Sequence, residues 1–131
     1  MKISVEDLRE DQRYMRHHKR GRKFNRKRGE RKSFIKGLVS NLIVRGKIET
    51  TEARAKELKS RAEKLVTLGK KQNLAALRLL MARLSNKKIA EKLYYEISPR
   101  YMSRHGGYTR VIKTARFRKR DGARVATIEF V

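Results

Sequence analysis

Residues 109–131 read TRVIKTARFRKRDGARVATIEFV. Thr109 to Phe117 is rich in β-branched and aromatic side chains, Asp121-Gly122 is a turn dipeptide, and from Val125 to Val131 the residues Ala126, Ile128 and Phe130 alternate onto one side. That pattern predicts a β-hairpin with one apolar face. Two strands alone are marginally stable in water, so the apolar face needs a further strand and a helical cover. Working back along the chain, Lys47 to Thr50 is short and extended in character, and it is the segment expected to join the hairpin in one small sheet.

The cover lies between them. Thr51 stands where a cap belongs, Glu52 follows at the positive end of the helix dipole, and Ala55, Leu58, Ala62, Leu65 and Val66 form one buried stripe. On the wet side Glu52 with Lys56 and Glu57 with Arg61 fall at i, i+4 and read as ordinary surface pairs. Leu74, Leu77, Leu80, Met81 and Leu84 predict a short amphipathic helix that stops at Ser85-Asn86. Ile89, Leu93 and Ile97 predict another, expected to end before Pro99, because a residue preceding proline is pushed out of the helical region. Upstream, Phe34, Ile35, Leu38, Val39 and Leu42 predict a helix ending near Gly46, into which the preceding basic segment runs directly, with Gly29 and Gly37 weakening it. The fold class is α+β: four helices packed on a small three-stranded sheet, with a basic N-terminal arm.

Charge then divides the chain. Residues 15–36, MRHHKRGRKFNRKRGERKSFIK, hold eleven Lys or Arg against the single acid Glu30, about +10 of a formal +24. No core can absorb that density, so the segment needs a polyanion. Arg outnumbers Lys between residues 16 and 31, which favours bidentate phosphate contacts. His17, His18, Phe24 and Asn25 interrupt the run with rings that can stack on bases and an amide that can bond to them, which a solubility tail would not need. Alone, residues 15–30 would be disordered. Residues 37–131 form the globular α+β domain. Residues 1–14 carry four acids and three bases, are given no role, and are followed by Met15, itself a candidate initiator.

Composition excludes several classes. There is no cysteine, hence no disulfide framework or thiolate metal site. No apolar stretch approaches the roughly 20 residues that span a bilayer, and no segment reads as a signal or transit peptide, so the protein is expected to stay in the compartment where it is made. The net charge opposes a homo-oligomer.

A second candidate site is PRYMSRHGGYTRVIK, residues 99–113. Adjacent glycines let another backbone approach, and Arg100, Arg104, His105, Tyr108 and Arg110 surround them, as a ribose-phosphate clasp would require. Tyr101 and Tyr108 are equally readable as core residues with hydroxyls reaching out. Lys113, Arg116, Arg118, Lys119, Arg120 and Arg124 make the hairpin cationic, either as binding surface or as edge charge against aggregation. Catalysis has little support: the histidines His17, His18 and His105 lack clustered carboxylates, and the Gly-Gly pair lacks the lysine and hydroxyl spacing of a phosphate loop. A nucleoid protein is a weaker alternative, for no base-reading helix-turn-helix or dimer seam stands out.

From Met15 onward the motifs MRHHKRGRKFNR, KIETTEARAKEL, PRYMSRHGGYTRVIK and IEFV, in this order, resemble the bacterial large-subunit ribosomal protein of the seventeen family. RxGGYTRV is the distinctive part. The resemblance implies an α+β protein that binds the large ribosomal RNA near the exit of the peptide tunnel, contacts neighbouring large-subunit ribosomal proteins, works in the cytoplasmic ribosome and needs no cofactor. By position the family's opening motif falls on Arg16, His17, Lys19, Gly21, Arg22, Lys23, Asn25 and Arg26, with Arg31 a turn further on. The later motif falls on Arg100, Arg104, Gly106, Gly107, Tyr108, Thr109 and Arg110. The basic run adds His18, Arg20, Lys27, Arg28 and Lys32, and the clasp adds His105, to complete the candidate RNA-binding set. Arg28-Gly29-Glu30-Arg31 stands where members often read Ser-Ser-His-Arg, and Asp121-Gly122 replaces the usual Gly-Asp turn.

Overall fold

The computed structural model describes residues 21–131. Along the chain run α1 (Arg28–Arg45), β1 (Lys47–Thr51), α2 (Glu52–Gly69), α3 (Leu74–Leu84), α4 (Lys87–Lys92), β2 (Thr109–Phe117) and β3 (Arg124–Phe130). The predicted strand 47–50 does join the hairpin: β3 is central, with β1 and β2 antiparallel on its two edges. Register sets Ile48 and Val111 on either side of Ile128. That places the alternating face of β3 against the helices, where Ala126 and Ile128 are fully buried.

α2 packs on the sheet and on α1 and α3, and its predicted stripe Ala55, Leu58, Ala62, Leu65 and Val66 is buried throughout. Thr51 precedes it as expected but makes no side-chain capping bond. It is still the last residue of β1, paired with Val125, so strand pairing rather than capping decides its conformation. In α1 the buried residues are Val39, Leu42 and Ile43. Gly46 closes it in the left-handed region (φ 74°), its N–H donating to the Leu42 carbonyl at 2.7 Å.

Asn73 caps α3 by accepting from the Ala76 N–H at 2.7 Å, and Asn86 caps α4 by accepting from Ile89 N–H at 3.3 Å. The stop at Ser85-Asn86 is therefore seen, with Ser85 left-handed. Leu74 falls outside the buried stripe of Ala76, Leu77, Leu80 and Leu84; at 100° per residue it lies about 120° around the helix from Leu80.

Pro99 does not end the helical path. After α4 the chain continues as a π turn, Leu93–Ile97, and a 3-10 turn, Ser98–Tyr101, with Ser98 itself helical (φ −60°, ψ −38°). The wider π turn lets Ser98 N–H reach the Leu93 carbonyl, and Pro99 then occupies the first turn of the next segment, where no N–H is needed. Ser98 is fully buried against Gly69, where a Cβ would collide with its hydroxyl. The continued turn carries Tyr101 into the core.

Candidate nucleic-acid interface

Residues 28–36 of the basic segment form the start of α1, and the described residues before them make a turn. Phe24 and Asn25 both adopt left-handed backbone (φ 52° and 51°), and Arg26 N–H closes the turn on the Lys23 carbonyl at 3.2 Å. Asparagine tolerates this region; phenylalanine does so at a cost. The Phe24 ring recovers it by meeting Phe34 edge-on, centroids 5.7 Å apart. The guanidiniums of Arg26 and Arg54 lie 4.2 and 5.0 Å from the Phe34 centroid. Phe34 is thus the peg on which the arm is hung, rather than a core residue. Glu30, the segment's acid, accepts from Lys27 N–H at 3.2 Å and caps α1. Arg31 donates to the Arg26 carbonyl at 3.4 Å.

With Glu30 so occupied, Arg22, Lys23, Arg28, Arg31 and Lys32 line a cleft of about 450 Å³ closed on its far side by Glu57 and Arg61 of α2. Among the described residues none of Arg22, Lys23, Arg26, Lys27, Arg28, Arg31 and Lys32 forms an ion pair. Arg16, His17, His18, Lys19 and Arg20 lie outside the described residues.

The second candidate cluster divides. Gly106 and Gly107 both have positive φ (117° and 61°), so the turn does require glycine. Tyr108 is buried, its ring 5.3 Å from that of Tyr101. Lys70 lies 5.0 Å from the Tyr108 centroid, donates to its hydroxyl at 2.9 Å and also bonds the Arg104 carbonyl. The ammonium beside it holds the Tyr108 hydroxyl below the usual phenol range, whereas burial pushes Tyr101 up. Tyr101 donates to the Val131 carbonyl at 2.7 Å. Thr109 is buried as well, its hydroxyl donating to Glu63 Oε1 at 3.0 Å. The side chains of Tyr108 and Thr109 therefore hold the turn in place and cannot stack on a base. Arg100, Arg104, His105 and Arg110 remain exposed beside it. Arg110 is paired with Glu129 at 2.6 Å, and this guanidinium is the chief reason the Glu129 carboxyl sits below its usual range.

Two contributors escape sequence reading. Lys70 follows α2 in a polar stretch with no periodic signal. The charges of α2 look like generic surface, yet Arg61 borders the arm cleft while Lys59, Lys64 and Thr67 border Gly106 and Tyr108. α2 therefore contributes side chains to both clusters.

On the hairpin most charge is spent internally. Lys113 pairs with Glu52 at 3.5 Å, Arg116 with Glu49, and Arg118 Nε with Asp121 Oδ1 at 2.9 Å. The Asp121 carboxyl is held low chiefly by Arg118. Among the described residues no group of three or more His, Asp or Glu could hold a metal, and no helix is long and apolar enough to cross a membrane.

Fold and charge together define the class: a small, strongly basic α+β protein in which, among the described residues, the acids are largely occupied by internal bonds and many cations are left without an ion pair. The sequence model of the family described as ribosomal protein L17 matches residues 34–131. The large ribosomal subunit protein bL17 of Moorella thermoacetica is 50% identical over 110 residues, covering 84% of this chain and 97% of that protein. The protein of the same name from Bdellovibrio bacteriovorus is 47% identical over 115 residues, covering 88% of this chain and 63% of the relative. That from Fusobacterium nucleatum is 45% identical over 117 residues, covering 89% of this chain and 100% of the relative. The chain belongs to the ribosomal protein L17 family.

Proposed function

We propose that the chain is a constituent of the large ribosomal subunit that binds large-subunit ribosomal RNA near the peptide tunnel exit, among neighbouring large-subunit proteins, and so supports subunit assembly and translation in the cytoplasm. The observation that carries this reading is the run from Arg22 to Lys32. It presents seven cations with no carboxylate partner among the described residues, and a folded turn holds them in place. Each that meets a phosphate releases condensed counterions, so affinity rises with the number of contacts and falls steeply with salt. Because Phe24 and Arg26 already pack on Phe34, little ordering remains to oppose binding over residues 21–32. The exposed Arg100, Arg104 and His105 beside the Gly106-Gly107 turn add a second contact, and α2 contributes side chains to both.

Filter binding of the full chain to a large-subunit RNA transcript and to duplex DNA of equal length tests the reading. The RNA is expected to win at equal salt, with affinity falling about a thousandfold or more between about 50 and about 200 mM salt. Equal affinity for duplex DNA would overturn it in favour of a nucleoid protein.

A further inference from the structure

The hairpin tip is not part of the two clusters described so far, and its position in the fold gives it a separate use. Arg22 and Phe24 of the arm, Arg54 and Lys56 of the first turns of α2, and Arg118 and Arg124 of the hairpin line one cleft of about 470 Å³. Five cations from three elements far apart in sequence thus converge, and three of them, Arg22, Arg54 and Arg124, have no ion pair among the described residues. The acid that also lines the cleft, Glu52, is already held by Lys56 at 2.6 Å and Lys113 at 3.5 Å. The Lys56 hydrogen bond keeps its carboxyl below the usual range. The cleft stays net cationic.

Phe117 does not line the cleft itself, but it precedes Arg118 and is the cross-strand partner of Arg124, both of which do. The ring is 58% exposed, with the Arg124 guanidinium 5.9 Å from its centroid. It is followed by Arg118, Lys119 and Arg120. A single exposed aromatic is ordinary. One that meets the guanidinium of its cross-strand partner Arg124 and adjoins a cationic cleft has the elements of a base-stacking platform: a flat apolar face, and nearby charges to hold phosphates. An acidic protein segment would satisfy the cations equally well, but it has no use for the ring.

Resting on the reading above, we infer that the hairpin tip is a second RNA-contact surface, in which the cleft takes the phosphates of a single strand and Phe117 stacks on an unpaired base of that strand. The arm and the hairpin then hold RNA from two sides of the α2 N-terminus. Lys119 and Arg120, which have no ion pair among the described residues, extend the same surface.

The test uses the full chain and a large-subunit RNA transcript in filter binding across a salt series, with Phe117→Ala, Phe117→Tyr, Arg124→Ala and, as an arm control outside this cleft, Arg28→Ala. Phe117→Ala is expected to weaken binding about 5- to 100-fold with the salt slope unchanged, because the ring carries no charge. Phe117→Tyr keeps a stacking face and should bind within about twofold of the parent. Arg124→Ala should lessen the slope by about one unit or less. If Phe117→Ala and Arg124→Ala bind like the parent while Arg28→Ala loses affinity, the inference falls and the arm reading stands. If the parent shows no preference for ribosomal RNA and Arg28→Ala changes nothing, the functional reading falls and takes this inference with it. Equal losses of Phe117→Ala toward poly-L-glutamate would also overturn it, pointing to an acidic protein partner.

Discussion

The start of α1 and the β2–β3 hairpin are similarly rich in Lys and Arg, and they handle that charge differently. In the hairpin, Arg110, Lys113, Arg116 and Arg118 each have an acid: Glu129, Glu52, Glu49 and Asp121. Glu129 joins all three strands, since it also takes Lys47 at 3.4 Å from the opposite edge. Around the arm, Glu30 is used for a backbone cap and Glu57, which also lines the cleft, pairs with Arg61, so among the described residues no acid forms an ion pair with the run. Local charge density alone therefore does not separate a sheet that braces itself from a surface that waits for a partner. The separation comes from where the eight acids of residues 37–131 are spent.

The largest expected effect follows from stripping the arm. Replacing Arg22, Arg28 and Lys32 together by Ala should reduce the salt slope of RNA binding by about two to three units, with a corresponding loss of affinity at low salt. Thermal stability should be unchanged, since none of the three makes an ion pair among the described residues. Filter binding and a thermal melt of the same preparations check both halves. Loss of stability would show that the arm, like the hairpin, is braced by its charges.

Next is Phe34→Ala, which removes the ring that Phe24, Arg26 and Arg54 share. Loss of half-buried apolar area and two cation–π contacts should destabilise by about 1–3 kcal/mol in a denaturant titration. Amide exchange at residues 24–27 should rise, and RNA affinity should drop although no charge has changed. Unaltered exchange there would mean that the turn does not hang on Phe34.

A smaller change is expected from Glu129→Gln, which leaves Arg110 and Lys47 without their carboxylate. Melting should shift down by a few degrees at most, while RNA affinity holds or rises because a negative charge is gone. A large fall in affinity would place Glu129 in the interface rather than in the brace.

The smallest is Asp121→Asn. Arg118 holds the Asp121 carboxyl below its ordinary range, so the ionised form is favoured in the folded chain. Its contribution is present at neutral pH and is lost as pH falls through and below the ordinary carboxylate value. The variant should therefore melt slightly lower than the parent at pH 7, and the gap should close toward pH 3. No gap at pH 7 would mean that the turn is held by its backbone bonds alone, and a gap that persists at pH 3 would mean that the Asp121 charge is not what holds it.

What was readable in the sequence were features whose cause is local. Alternation gave away β3, the first helix was expected to end near Gly46, and the third to stop at Ser85-Asn86. The arm's charge was readable for the same reason, because composition needs no folding to interpret. What escaped depends on contacts distant in sequence. Phe24 looks like an element of base recognition, yet its ring is committed to Phe34, while Asn25 keeps an exposed side chain on a left-handed turn. Pro99 looks like a terminator until the π turn before it is known. Tyr108 and Thr109 belong to the distinctive RxGGYTRV motif, but Lys70 and Glu63, which occupy their hydroxyls, come from α2 and the residue just after it, about forty positions upstream. Only the packed structure shows that the motif's glycines and arginines face outward while its tyrosine and threonine face in.

The most direct measurement is photocrosslinking within assembled large ribosomal subunits, followed by mass spectrometry of the peptide–nucleotide adducts. Peptides spanning Arg22 to Lys32 are expected to carry ribonucleotides. Subunits that contain the protein yet yield adducts only from other parts of it, with the Arg22 to Lys32 peptides recovered unmodified, would contradict the account.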